Sequence, residues 1–171
     1  NKFEYLNWQE IESIANEKRS TVIWPFGAVE QHGPHLPLAT DSIFVDEIIS
    51  EVLKLFPADI PLKKLPTQYI GFSPEHKGFA GTISLSSNLI TSMIKEVGSQ
   101  LSEMGFKRLI LINGHGGQIS LLNTAARELR SSAPGMAVFP CFLWSGVNGL
   151  SELLTKTEIE NGLHASLAET S

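Results

Sequence analysis

The segment Lys107-Arg108-Leu109-Ile110-Leu111-Ile112 constrains the fold more than any other. Two charges followed by four consecutive apolar residues suit a strand covered on both faces, as in a parallel sheet. The glycine-rich stretch Asn113-Gly114-His115-Gly116-Gly117 follows, then a helical pattern over about 117–130 and a further strand over about 136–143. Strand, tight turn, helix and strand make a βαβ unit, so the chain reads as α/β with a parallel sheet. Upstream, Thr21-Val22-Ile23-Trp24 predicts a short buried strand ended by Pro25, and residues 8–18 predict a surface helix. Apolar spacing predicts two more helices, one from Asp41 to Pro57 and one over 87–104 stopped by Gly105. Thr40 or Asp41 is the expected cap of the first of these. Between them and the first strand, PFGAVEQHGPHLPLA reads as an ordered loop, because apolar residues are interleaved with its prolines and glycines.

Nothing marks a linker or a repeat, so residues 1–171 are expected to form a single domain. The chain lacks an initial Met and stops at Glu169-Thr170-Ser171 without a closing element, so a C-terminal segment is expected to be missing. Thirteen basic against eighteen acidic residues, a net charge of −5, argue against nucleic acid as a partner. No apolar run approaches a membrane span, so no membrane partner is expected. The lone Cys141 makes an internal disulfide impossible and points to the cytoplasm; within Phe-Pro-Cys-Phe-Leu it reads as buried core. Trp24, Phe72 and Trp144 read as core or pocket walls.

Chemistry concentrates around five histidines, all in segments rich in Gly, Pro or acids rather than in apolar stripes. Glu30 and His32, two apart, project to one side of an extended backbone and can reach one ion, with His35 and Asp41 downstream. Carboxylate with imidazole suits Zn²⁺, Mn²⁺, Fe²⁺ or Co²⁺ rather than a thiolate site. A solvated turn explains the same spacing equally simply. His115 sits among three glycines after the best strand, at the start of a helix that offers free N–H groups; a tight helix-capping turn is the competing explanation. His164 and Glu169 lie five apart, about 140° around a helix, and can serve one cavity only if the backbone enters a helix between them. Ser73-Pro74-Glu75-His76 holds the residue types of a nucleophilic triad but lacks the G-x-S-x-G elbow.

Taken in order, Pro25–Leu38 with Asp41, Ser73-x-Glu75-His76 before Gly81-Thr82-Ile83-Ser84-Leu85, Asn113–Gly117, and His164-Ala165 ahead of Glu169-Thr170-Ser171 resemble the creatininase (creatinine amidohydrolase) family. The resemblance implies a three-layer αβα sandwich with a mainly parallel sheet, often assembled as a homohexamer. It also implies two divalent metal ions per chain, Zn and/or Mn with Fe as a further candidate, and hydrolysis of an amide C–N bond by a two-metal-activated hydroxide. By matching positions, Glu30 and His115 would hold one metal, His32 the other, and Asp41 both. A familiar fifth ligand follows the NGH histidine by two residues; Gly117 stands there, and Glu169 is the expected replacement. His164 would contact substrate and assist proton transfer, with Glu169 beside it in the catalytic machinery. Ser73, His76 and Gly116 join His164 in the expected substrate pocket. Creatinine hydrolases carry an aromatic residue after the NGH histidine and a Trp-Asp pair before the terminal one, where this chain has Gly116, Glu160 and Asn161. The expected substrate is therefore another small cyclic amide or a formamide. The competing reading is a metal-binding relative without hydrolytic turnover, acting in peptide or cofactor maturation or as an oligomeric scaffold.

Overall fold

The computed structural model of the chain describes residues 1–57, 59–162 and 164–170. Its centre is a parallel sheet in the order β2-β1-β3-β4, formed by β1 (Thr21–Phe26), β2 (Leu62–Lys64), β3 (Arg108–Asn113) and β4 (Ala137–Phe142). Successive side chains of a strand point to opposite faces, and β1 shows the result. Val22, Trp24 and Phe26 pack with Ile90, Ile94, Leu122 and Leu129 beneath α3 (Ser87–Glu103) and α4 (Ile119–Ser132), beside Ala15 at the end of α1 (Trp8–Ala15). Ile23 faces the other way and packs with Val45, Ile49 and Leu53 of α2 (Thr40–Lys54). Helices therefore cover both faces, and the expected three-layer α/β architecture is the observed one.

The differences from expectation are local. β1 runs through Pro25 to Phe26, because β2 pairs only as far as Ile23 and no neighbour there requires the N–H that proline lacks. β2 escapes the sequence reading because it is three residues long and carries Lys63 and Lys64. Neither Thr40 nor Asp41 caps α2: Ala39 takes the cap position without a side-chain bond, and Asp41 sits in the first turn, buried. Cys141 is exposed rather than buried, since the face of edge strand β4 that carries Ala137, Phe139 and Cys141 has no helix over it among the described residues. Three short helices follow β4: α5 (Leu150–Leu153), α6 (Lys156–Asn161) and α7 (Leu167–Thr170). Among the described residues no helix is long and apolar enough to cross a membrane.

One charge lies under the sheet edge. Lys64 is buried and donates to Asp46 Oδ1 at 2.6 Å, while Thr67 donates to the same oxygen. Burial pushes the Asp46 carboxyl up, but these hydrogen bonds outweigh it and hold the group below its ordinary range. Asp46→Asn leaves the buried ammonium without its counter-charge and is expected to lower stability by about 2–3 kcal/mol at pH 7. A depressed carboxyl contributes above its unfolded pKa of about 3.9 and loses that contribution as pH falls through its folded value. Urea unfolding should therefore show the gap between the two proteins closing below about pH 4.

Candidate metal and active site

β1 and β3 end side by side at Phe26 and Asn113, and the loops leaving their carboxyl ends carry the chemistry. After β3, Asn113 Nδ2 donates to the His115 carbonyl at 2.7 Å, and the His115 N–H donates to Asn113 Oδ1 at 3.0 Å, which fixes the turn. Gln118, fully buried, donates to the Gly27 carbonyl and accepts from the Phe72 N–H, both at 3.1 Å. Three loops are thereby tied together by a residue to which sequence reading assigns no role. Gly27 admits the first turn of α2: a Cβ there would lie 2.4 Å from Ser42 Cα and 2.6 Å from its nitrogen. Gly27→Ala is expected to push that turn, and Asp41 with it, away from the strand ends. Thermal melts and metal uptake should both fall relative to the parent protein.

The two central imidazoles are oriented in the same manner. His32 Nδ1 donates to the Glu30 carbonyl at 3.1 Å, turning Nε2 toward Asp41 Oδ1 (3.3 Å) and Glu169 Oε2 (3.9 Å). His115 Nε2 donates to the Phe72 carbonyl at 3.0 Å, with Ser73 Oγ at 3.3 Å, turning Nδ1 toward Glu30 Oε1 (3.2 Å) and Asp41 Oδ2 (3.1 Å). An outer N–H held by a backbone carbonyl is how metal-binding histidines are fixed. Burial alone would push the His115 pKa down, yet the Asp41 and Glu30 carboxylates outweigh it and push it up to about 10. Burial likewise works against the charged forms of Glu30, Asp41 and His32, and their partners win in each case: both acids are lowered, and His32 is raised. Glu169 is different, because burial dominates and raises its carboxyl despite a 2.5 Å bond from the Ala165 N–H.

These close approaches are not aligned as hydrogen bonds. Both Glu30 carboxylate oxygens, His32 Nε2 and Asp41 Oδ2 are buried without a hydrogen-bond partner among the described residues. Buried polar atoms without partners are costly, and four in one cluster call for a cation. Ligands about 2.0–2.2 Å from a shared ion lie about 3.0–3.5 Å from each other, which is the spacing of His32 from Asp41 and of His115 from Asp41 and Glu30, with Glu169 standing slightly farther off at 3.9 Å from His32. Two ligand groups emerge: Glu30, Asp41 and His115, all buried, and His32, Asp41 and Glu169. Asp41 belongs to both, so the donor set fits a pair of divalent ions with one shared carboxylate. Glu30 also forms looser groups with His32 and His164, and with Glu75 and His76.

The remaining predicted residues surround this cluster. His164 Nε2 donates to the Gln31 carbonyl at 2.7 Å, leaving Nδ1 3.5 Å from Glu30 Oε1. Its ring packs between those of His32 and His76, with centroids at 4.3 and 4.5 Å. Gln31 Nε2 lies 3.1 Å from His76 Nδ1, so Gln31 braces two histidines at once. His164 and Glu169 reach the same cavity because the chain turns between them at Ala165, which has a φ of 50°, before α7 begins. His35 stands apart, exposed and bonded to Thr170 Oγ1. Gly117 faces the cluster closely: a Cβ there would lie 2.6 Å from His115 Nε2 and 2.2 Å from Glu75 Oε1.

Above the cluster opens a cavity of about 470 Å³. Its floor includes Glu30, Asp41, His115, His164 and Glu169, and its apolar wall is Ile119, Phe142, Trp144, Leu150, Leu154 and Ile159. Trp144 is held in place by stacking on Phe44 at 4.8 Å. Gly116 lines the cavity, and a Cβ added to it would meet nothing within 4 Å. Ser73 lies beneath the cavity, buried against His115, and Trp24 is core.

The sequence model of the creatininase family, described as creatinine amidohydrolase, matches residues 4–171. The chain belongs to the creatininase family. This creatininase-family chain is 36% identical over 122 residues to the mycofactocin precursor peptide peptidase of Mycolicibacterium smegmatis, covering 70% of the chain and 49% of that relative. It is 28% identical over 134 residues to the creatinine amidohydrolase of Pseudomonas putida, covering 73% of the chain and 50% of that relative. The chain thus spans about half the length of the curated relatives it matches. Among solved structures, a manganese creatininase superposes with a TM-score of 0.80 at 24% identity, over 98% of this chain and 69% of that one. A mutant creatininase complexed with creatine gives 0.77 at 26% identity, over 99% and 70%.

Proposed function

We propose that this creatininase-family chain is a metal-dependent hydrolase of an amide C–N bond. The observation that carries the reading is the meeting of Glu30, His32, Asp41, His115 and Glu169 under one cavity, with four buried donor atoms left without partners. In this reading Glu30 and His115 hold one divalent ion, His32 and Glu169 the other, and Asp41 both; Zn and Mn suit the oxygen and nitrogen donors. Such ions, when bound, polarise a carbonyl and bring the pKa of water near neutrality. The protein's own groups do the rest. His164 keeps Nε2–H on the Gln31 carbonyl and presents Nδ1 to the cavity, where Nδ1 takes a proton from the water that adds to the carbonyl carbon and hands the same proton to the departing nitrogen as the C–N bond breaks. His76 and Ser73 hold His164 and His115 in place, and Gly116 leaves room for the substrate.

A small cyclic amide or formamide satisfies this chemistry. The apolar wall and the open space at Gly116 favour a larger amide with an apolar side chain, such as a peptide bond, in keeping with the relatives named as a peptide peptidase. The deciding assay offers creatinine, other lactams, formamides and short peptides of apolar residues to protein stripped with a chelator and reloaded with Zn or Mn. Peptide hydrolysis lost on stripping and restored on reloading is the expected result. Two bound ions per chain with no turnover on any of these substrates would instead favour a binding or scaffold role. The unpaired Cys141 supports a cytoplasmic setting, and the homohexamer implied by family resemblance is checked by sedimentation.

A further inference from the structure

We infer that Glu158 is a specificity residue that recognises a cationic or N–H-donating group on a substrate held in the cavity above the metal-ligand cluster. The inference rests on the reading of the cavity as the substrate site. Glu158 lies on α6, where its backbone is already satisfied: the N–H donates to Thr155 Oγ1 at 3.2 Å, and the carbonyl accepts from the Gly162 N–H at 2.8 Å. Glu158 lines the cavity, and its Oε2 is shielded from solvent with no hydrogen-bond partner among the described residues. The nearby cation is engaged elsewhere, since Lys156 pairs with Glu160 at 3.7 Å. Gly162 makes the space for this carboxylate, because a Cβ there would lie 2.5 Å from Glu158 Oε2.

A shielded carboxylate oxygen without a donor is unfavourable unless something arrives to satisfy it. Among the described residues the cavity lining contains neither Lys nor Arg to do so. The other cavity acids are accounted for: Glu30, Asp41 and Glu169 face His32 and His115, and Glu75 is 44% exposed beside His115. Among the described residues Glu158 Oε2 is thus left without a partner, in a cavity whose lining also includes Ile159, Leu154 and Trp144. That combination fits an apolar or aromatic body carrying an ammonium or amide N–H, as on the amino side of an apolar residue.

The test uses two isosteric probes, phenethylammonium and 2-phenylethanol, titrated into Zn-loaded protein and followed by NMR shifts and calorimetry. The parent protein is expected to bind the ammonium at least about tenfold more tightly than the alcohol, as a charge-assisted bond implies. Glu158→Gln should reduce that preference below about threefold, whereas Glu75→Gln should preserve it. Equal affinities in the parent, a preference that survives Glu158→Gln, or one abolished by Glu75→Gln would each overturn the inference. Thermal melts establish that both variants fold, and Glu158→Ala repeats the measurement without a polar replacement. Zn stoichiometry and amide hydrolysis are read on the same samples. Glu158-dependent ammonium binding without hydrolysis sinks the hydrolase reading alone, and hydrolysis without that preference sinks this inference alone.

Discussion

Asp41→Asn is expected to empty both metal positions and to lower hydrolysis about a thousandfold or more, while the fold survives. Asp41 is 4% exposed, with Oδ1 3.3 Å from His32 Nε2 and Oδ2 3.1 Å from His115 Nδ1. Of the four ligand groups that the described side chains form, it alone joins the one containing His115 to the one containing Glu169. An amide keeps the shape but replaces one acceptor by a donor and removes the negative charge that would sit between the two proposed dications. Because Asp41 makes no side-chain cap on α2, the helix loses only the small favourable effect of an acid in its first turn. Elemental analysis together with circular dichroism reads the outcome. An unchanged metal count in a folded variant would remove Asp41 as the shared ligand.

Glu169→Gln should act on one position only, leaving about one ion per chain and lowering activity by about a hundredfold or more. Glu169 Oε2 lies 3.9 Å from His32 Nε2, and its carboxylate belongs with His32 and Asp41 but not with Glu30 and His115. Installing Glu at Gly117 is not expected to rescue this variant. A side chain there starts 2.6 Å from the His115 ring and 2.2 Å from Glu75, so it displaces the ligand it is meant to assist. Glu169→Gln with two tightly held ions would exclude Glu169 from the ligand set.

What the sequence made legible followed from periodicity and from residue chemistry. The apolar run of β3, the amphipathic spacing of α3 and the strand–turn–helix step at Asn113–Gly117 need only local physics, and the structure keeps each within a few residues. The convergence of Glu30, His32, Asp41, His115 and Glu169 rests on family resemblance rather than spacing, because the five come from loops and helix starts up to 139 residues apart that only the parallel sheet brings to one end. Gln118 as the knot between three loops was invisible, since its partners are the Gly27 carbonyl and the Phe72 N–H, which no side-chain pattern encodes. The exposure of Cys141 is not legible because an apolar strand sequence does not reveal whether its second face is covered.

Ala165 holds a left-handed backbone that an L-residue with a Cβ adopts at a cost of about 1–2 kcal/mol. Without that twist, the imidazole before it and the carboxylate after it would diverge around a helix. The residue thus trades local comfort for aim: glycine in its place should make the protein slightly more robust but less faithful in setting those two groups, and a β-branched residue should scatter them.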